Sequence, residues 1–282
     1  MLCTGPKLMR MLLPPFPRLR PASASPAPSG AVDVPEAQRP FRLPAAGRPD
    51  VAVVVLHGFT SGPASVRAWA EGMAESGCAV RVPLLPGHGT RWEDLAATGA
   101  DRIRAAVRAE VDAALAEHRH VVVAGISMGG ALALDAAAHR PVAAALVVNP
   151  ALRFRNPLAH AAPLLRHVVP TLPAIAGDIA DPEAQEIAYE CTPVGGVAAL
   201  GRIQRAAERG LGRITSPVTV FHSAQDAVVP EASHRALLRG LTRAPVDVVP
   251  LPRSRHMATL DLDLPLLIAG SRDAVTRAVR RA

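Results

Sequence analysis

The sequence predicts an α/β fold: a mostly parallel central sheet flanked by helices. Short apolar runs such as 51–56 (VAVVVL) and 120–126 (HVVVAGI) alternate with longer segments of helical period. Parallel neighbours require a crossover, which a helix supplies. The runs are apolar almost throughout rather than at every second position, as in a sheet covered on both faces.

Residues 1–40 are rich in Pro, Ala, Ser and Arg and show little periodicity, so a disordered leader is expected there, with order beginning near Phe41. Lys7 and Arg10 could form a basic n-region, but MLLPPF is too short and proline-rich for the apolar part of a signal peptide. A late start at Met9 or Met11 also fits. The elements then follow in order: a strand at 51–56 and a helix over 61–77. In that helix Pro63 suits the first turn, Val66, Trp69, Ala70 and Met73 recur at helical steps, and Gly77 ends it. A strand at 79–84, an Ala/Arg-rich helix at 98–117 and the strand at 120–126 come next, then a helix after Ser127. Strands at 143–148, 218–222 and 246–251, a helix at 196–210 and a C-terminal helix from about Pro265 to Arg281 complete the set. Between the strands ending at Val148 and beginning at Val218 the chain is far longer than a crossover needs. The excess, 151–195, is expected to be an inserted cap on a core made of 41–150 and 196–282.

Composition excludes several classes. The net charge of +7 suggests nucleic acid, yet residues 1–50 carry +4 of it and the remainder only +3. Aromatic residues are 3% and the arginines are scattered, whereas a nucleic-acid surface gathers charge beside stacking rings. The longest apolar stretch, ALALDAAAHRPVAAALVV, is broken by Asp135, His139, Arg140 and Pro141, so no transmembrane segment is expected. Cys3, Cys78 and Cys191 are odd in number and far apart, which supports neither a disulfide framework nor a zinc site and fits a reducing, cytoplasmic setting.

One motif carries chemistry. In Gly125-Ile126-Ser127-Met128-Gly129 a serine ends a buried strand between glycines. A serine hydroxyl needs a base to take its proton and donors to hold the oxyanion that forms. A sharp strand-to-helix turn lifts the hydroxyl clear of the sheet, and only small residues fit two positions to either side. The backbone N–H of Met128 would point at the oxyanion. A glycine-rich turn without chemistry has the same five-residue pattern; position at a strand-to-helix junction favours the catalytic reading. The second donor should follow an earlier strand: in LHGFTSG (56–62) Phe59 N–H is the natural one, with Gly58 admitting the backbone. VFHSAQDAVVP puts Asp226 past the strand 218–222, and LPRSRHMATLD puts His256 past 246–251. His256 would accept the serine proton and Asp226 would orient the imidazole. Among rivals, His222 is expected to pack beneath the site and His57 and His88 to be structural. Asp261 and Asp263 are expected to cap a helix, and Glu231 to open one.

Five segments in order carry a family resemblance: LHGFTSGPASVRAWAEGMAESG, LPGHGTRWEDL, GISMGGALAL, SAQDAVVP and SRHMATLD. The chain from about Phe41 onward resembles the monoacylglycerol lipase-like bacterial carboxylesterases of the α/β-hydrolase superfamily, least so in the cap. The resemblance implies an α/β-hydrolase fold, a triad of Ser127, Asp226 and His256 in the chain order typical of that fold, and Phe59 and Met128 as oxyanion donors. It also implies cofactor-free hydrolysis of small-molecule carboxylic esters of short to medium acyl chain. Arg255, before the histidine, departs from the small residue expected there and would alter the entrance rim. Leu152, Leu158, Leu164, Leu165 and Val169 would line an acyl pocket or form the cap's own core. Thioesters, C–C bonds and peroxidase chemistry, or ligand binding without turnover, remain open to the same constellation.

Overall fold

The computed structural model describes residues 34–281, within one compact unit, Val32–Ala282. Most of the expected leader, including Cys3, Lys7, Met9 and Met11, lies outside the described residues. Residues 34–40 were expected in that leader. Instead Glu36–Gln38 forms a 3-10 turn, and buried Gln38 donates through Nε2 to the Ile187 carbonyl at 3.1 Å.

A seven-stranded sheet forms the centre. In chain order its elements and connections are β1 (Phe41–Leu43), β2 (Arg48–Leu56), α1 (Arg67–Ala74), β3 (Cys78–Val82), α2 (Trp92–Ala97), α3 (Ala100–Glu117), β4 (His120–Ile126), α4 (Met128–Ala137) and β5 (Ala144–Val148). Then come α5 (Ala162–Leu165), β6 (Thr171–Pro173), β7 (Cys191–Pro193), α6 (Val194–Gly210), β8 (Val218–His222), α7 (Glu231–Gly240), β9 (Val246–Pro250) and α8 (Leu264–Arg281). The order across the sheet is β1-β3-β2-β4-β5-β8-β9, parallel except for antiparallel β1 at the edge. β1 is a three-residue edge piece, too short for a periodic signal. β6 and β7 form a separate two-stranded antiparallel pair within the long excursion between β5 and α6.

Alternation along the strands sends side chains to both faces. Val51, Val53 and Val55 pack with Trp69, Met73, Leu267 and Val275 from α1 and α8. Val54 and Leu56 pack with Ile103, Val107, Leu132 and Ile203 from α3, α4 and α6. Each such aliphatic side chain taken fully from water contributes about 1.5–3 kcal/mol. α3 buries Ala100, Ile103, Val107, Val111 and Ala114, one stripe at steps of three and four. Asp135 is buried on α4 and is held by Arg104, with Nη2 at 2.8 Å and Nε at 3.0 Å. A buried carboxylate survives only with such partners. No helix among the described residues is long and apolar enough to cross a membrane.

β2 is the first long strand; the chain goes to β3 on one side and then returns to β4 on the other. Loops therefore diverge at the carboxyl ends of β2 and β4, where Leu56 pairs with Gly125. Open α/β sheets bind ligands at such a switch point.

Candidate active site

Ser127 follows β4 directly and stands before the first residue of α4. Its φ is +55° and ψ −118°, a region that L-residues rarely adopt. The strained turn is held because Ser127 N–H donates to Val148 O at 2.9 Å, while Ser127 O accepts from Ala131 and Ala151 at 3.1 Å each. A Cβ on Gly129 would overlap the Leu56 carbonyl, and one on Gly125 would overlap the Gly129 backbone. Glycine is thus required at both positions by close backbone approach.

The loop after β2 lies against this turn: a Cβ placed on Gly58 would come 3.8 Å from the Ser127 Cβ. Among the described residues, no protein group accepts the N–H of Phe59 or of Met128. The loop is pinned from below by His57, whose Nε2 accepts from Leu85 N–H at 3.1 Å, so its Nδ1 carries the proton and donates to Gly58 O at 2.9 Å. His57 and His88 are buried with ring centroids 5.0 Å apart. Burial and the neighbouring His88 lower His57 to about 3; burial lowers His88 to about 4. Both are structural, as expected.

These two depressed values fix a pH dependence. Between the ordinary value of 6.5 and about 3–4 the unfolded chain binds protons that the folded chain refuses. The associated stability is fully present above about pH 6.5 and is lost as pH falls through that window. The urea midpoint should therefore decline from pH 7 to pH 4, and decline less in His88→Gln; equal slopes in both proteins would contradict it.

Past β8, Asp226 sits in a loop where its Oδ1 accepts from Val228 and Val229 N–H, both at 2.8 Å. Its Oδ2 lies 2.8 Å from His256 Nδ1, and both side chains are buried. An acceptor-only carboxylate there places the Nδ1 proton toward Asp226 and leaves Nε2 for other contacts. Ser127 and His256 line the same cavity, of about 530 Å³, which also takes Gly58 and Phe59 in its wall.

Several residues that hold this arrangement were not anticipated. Asn149, at φ +43° just past β5, donates through Nδ2 to Ser223 Oγ (3.1 Å) and His256 O (3.0 Å), and accepts Ser223 N–H through Oδ1 at 2.9 Å. It ties the acid loop and the histidine loop to the sheet. Asp178, in the long excursion, accepts through Oδ2 from Ala227 N–H (2.8 Å) and His256 N–H (3.3 Å), and its carbonyl accepts from Met257 N–H. A polar residue closing an apolar strand is the one signal that marks Asn149; nothing local marks Asp178.

Other expectations need correction. The side chains of Asp261 and Asp263 do not cap a helix: Asp263 accepts from Arg253 and Ser254 N–H, and Asp261 from Arg255, Ala180 and Asp181 N–H. Both brace the histidine loop, Asp261 joining it to the excursion. Glu231 does open α7, and its carboxylate pairs with His222, which stacks on His234 at 4.0 Å. Arg255 is exposed and stands outside the cavity wall. Of the five apolar residues expected in an acyl pocket or in the cap's own core, Leu158, Leu165 and Val169 line the cavity, and Val169 also packs against the small cluster of Ala162, Val194, Val197 and Ala198. Leu152 is buried in the main core, and Leu164 points outward from the short α5, 79% exposed.

Sheet order, strained turn and loop placement define the class: an α/β-hydrolase of the serine type. The chain belongs to the serine aminopeptidase S33 family, whose profile matches residues 47–263. It is 34% identical over 225 residues to a thermostable monoacylglycerol lipase of Bacillus sp. (strain H-257), covering 78% of this chain and 88% of that protein. A solved structure from a study of two metagenome-derived lipolytic enzymes superposes with TM-score 0.83 at 32% identity, over 87% of this chain and all of the other. A soluble variant of the Saccharomyces cerevisiae monoglyceride lipase, bound to a substrate analogue, shares the fold: TM-score 0.69 at 15% identity, over 89% and 99% of the two chains.

Proposed function

We propose that the cavity is the acyl-transfer site of a carboxylesterase of monoacylglycerol lipase type, and that residues 151–193 cap it. Ser127 is the nucleophile, His256 the base, Asp226 the orienting acid, and the N–H groups of Phe59 and Met128 the oxyanion donors. The observation that carries this reading is that Ser127, on its strained turn, shares one cavity wall with a histidine already held by Asp226.

Ser127 Oγ bonds to the ester carbonyl carbon while His256 Nε2 takes the hydroxyl proton. The tetrahedral oxyanion is met by the two backbone donors. Collapse breaks the C–O bond to the alcohol, which leaves with the proton from His256. Water then attacks the acyl-enzyme, giving its proton to His256, and the second collapse returns the proton to Ser127 and frees the carboxylic acid. The bond pair Asp226–His256 orients the ring and stabilises the imidazolium.

The wall is largely apolar, with Leu158, Leu165, Val169 and Leu172 toward the excursion, which suits an aliphatic acyl chain. Glu186 is the one carboxylate on that wall. Burial raises its pKa above the ordinary range, against a Gly177 N–H bond of 2.9 Å and the influence of His256. Near His256 it offers an acceptor to the free hydroxyls of a polyol leaving group, which a triacylglycerol lacks. The expected result is kcat/KM rising from p-nitrophenyl acetate to a medium chain and then falling, and monoacylglycerol favoured over triacylglycerol by about tenfold or more. Thioesters and aminoacyl anilides with matched acyl groups complete the panel. Ester binding without turnover, or faster cleavage of the anilides, would overturn the reading.

A further inference from the structure

Gln204 lies on α6, is 3% exposed, and belongs to the cavity wall. Among the described residues its side-chain amide has no hydrogen-bond partner. The polar atoms sealed off without a partner include Gln38 Oε1 and Thr192 Oγ1 but neither amide atom of Gln204. The amide therefore faces the cavity space rather than packed protein. Its neighbours along the same helix face are Val197 and Leu200. Phe59, on the oxyanion loop, touches α6 at Gly196, eight residues earlier. At the rise of an α-helix that is about 12 Å along the axis. The amide thus stands about two turns of α6 beyond that contact; Arg153, which pairs with Glu208 one turn further along the helix, also lines the cavity.

A buried amide left unpaired by its ligand is costly, whereas a ligand oxygen that pairs with it is selected. From this, and resting on the ester-hydrolase reading above, we infer that Gln204 is a polar subsite for a hydroxyl or keto oxygen carried on the substrate chain several bonds from the scissile ester. The amide can donate to a keto oxygen and both donate to and accept from a hydroxyl. A plain alkyl chain filling the same space strips the amide of any partner. An oxygenated chain replaces it.

The test compares p-nitrophenyl decanoate with its mid-chain and terminal hydroxy derivatives. A second arm compares octyl acetate with the monoacetates of octanediols, which separates an oxygen on the acyl side from one on the alcohol side. In the wild type at least one hydroxylated ester is expected to equal or exceed its plain counterpart in kcat/KM. In Gln204→Met that ratio should fall about tenfold or more, and in Gln204→Asn by less, because the amide remains but is drawn back. Far-UV circular dichroism and the urea midpoint report that both variants are folded, and because the two esters are compared within each variant, a loss of activity common to both cancels from the ratio. A wild type that disfavours every hydroxylated ester by more than tenfold would overturn the inference without needing any variant. So would an unaltered ratio in Gln204→Met. Loss of all ester turnover in the wild type would instead sink the underlying esterase reading.

Discussion

Replacing Ser127 with alanine is expected to lower ester turnover by about 10⁶-fold and to abolish labelling by a fluorophosphonate, with the fold intact. The magnitude follows from serine hydrolases in general, where loss of the nucleophile removes nearly all catalysis beyond that supplied by oxyanion donors and binding. The substituted side chain sits at φ +55°, so Ser127→Ala keeps the backbone strain while deleting the hydroxyl. Ser127→Gly deletes both. Strained backbone of this kind costs about 1–3 kcal/mol. The glycine variant should therefore be equally inactive yet unfold at higher denaturant than the alanine variant. That pair of measurements separates the two consequences of the turn: chemistry lost with the oxygen, stability regained with the conformational freedom. Wild-type labelling in Ser127→Ala would remove Ser127 from the nucleophile role.

What could be seen in advance depended on the range over which each interaction acts. The strand His120–Ile126 and the strained turn after it were legible because burial and close approach leave a local trace: a continuous apolar run, then glycines two positions to either side of the serine. Asp226 and His256 were legible because each follows a strand of the same sheet. The start of α6 was misplaced by two residues for a related reason. Gly195 and Gly196 resemble a helix boundary, yet they lie inside the helix, where a Cβ would overlap the Ala96 backbone or crowd the Phe59 ring. The β6–β7 pair, only three residues a strand and with a proline in each, has no alternation to read. Asn149 and Asp178 act across 107 and 78 residues of chain on His256, and contacts of that kind have no period at all. The same holds for Asp263: at the start of a helix its type suggests a cap, but its carboxylate is taken by Arg253 and Ser254. Local signals therefore located the groups proposed to react, while the braces that hold them became visible only in three dimensions.

Asp226→Asn is expected to reduce kcat by about 10⁴-fold with little change in stability, and the reason lies in which oxygen is replaced. Oδ1 accepts two backbone N–H groups, from Val228 and Val229, whereas Oδ2 accepts one ring N–H. An asparagine keeps its carbonyl oxygen where the two backbone donors are, since its amide nitrogen cannot accept from them. The NH₂ group is thereby forced toward His256 Nδ1. A donor there requires Nδ1 to be unprotonated, which moves the ring proton to Nε2. The imidazole is then in the tautomer that cannot take the proton of Ser127, although its position is unchanged. Steady-state kinetics should show the fall in kcat with a KM altered by less than about threefold, because no group contacting the ground-state ester has moved. Ring nitrogen shifts in an NMR spectrum of histidine-labelled protein would show the exchanged tautomer directly. Near-normal turnover in Asp226→Asn would mean that another carboxylate orients the ring. One alternative is Asp178, whose Oδ2 already accepts from the His256 backbone N–H, and the double variant with Asp178→Asn would then be the inactive one.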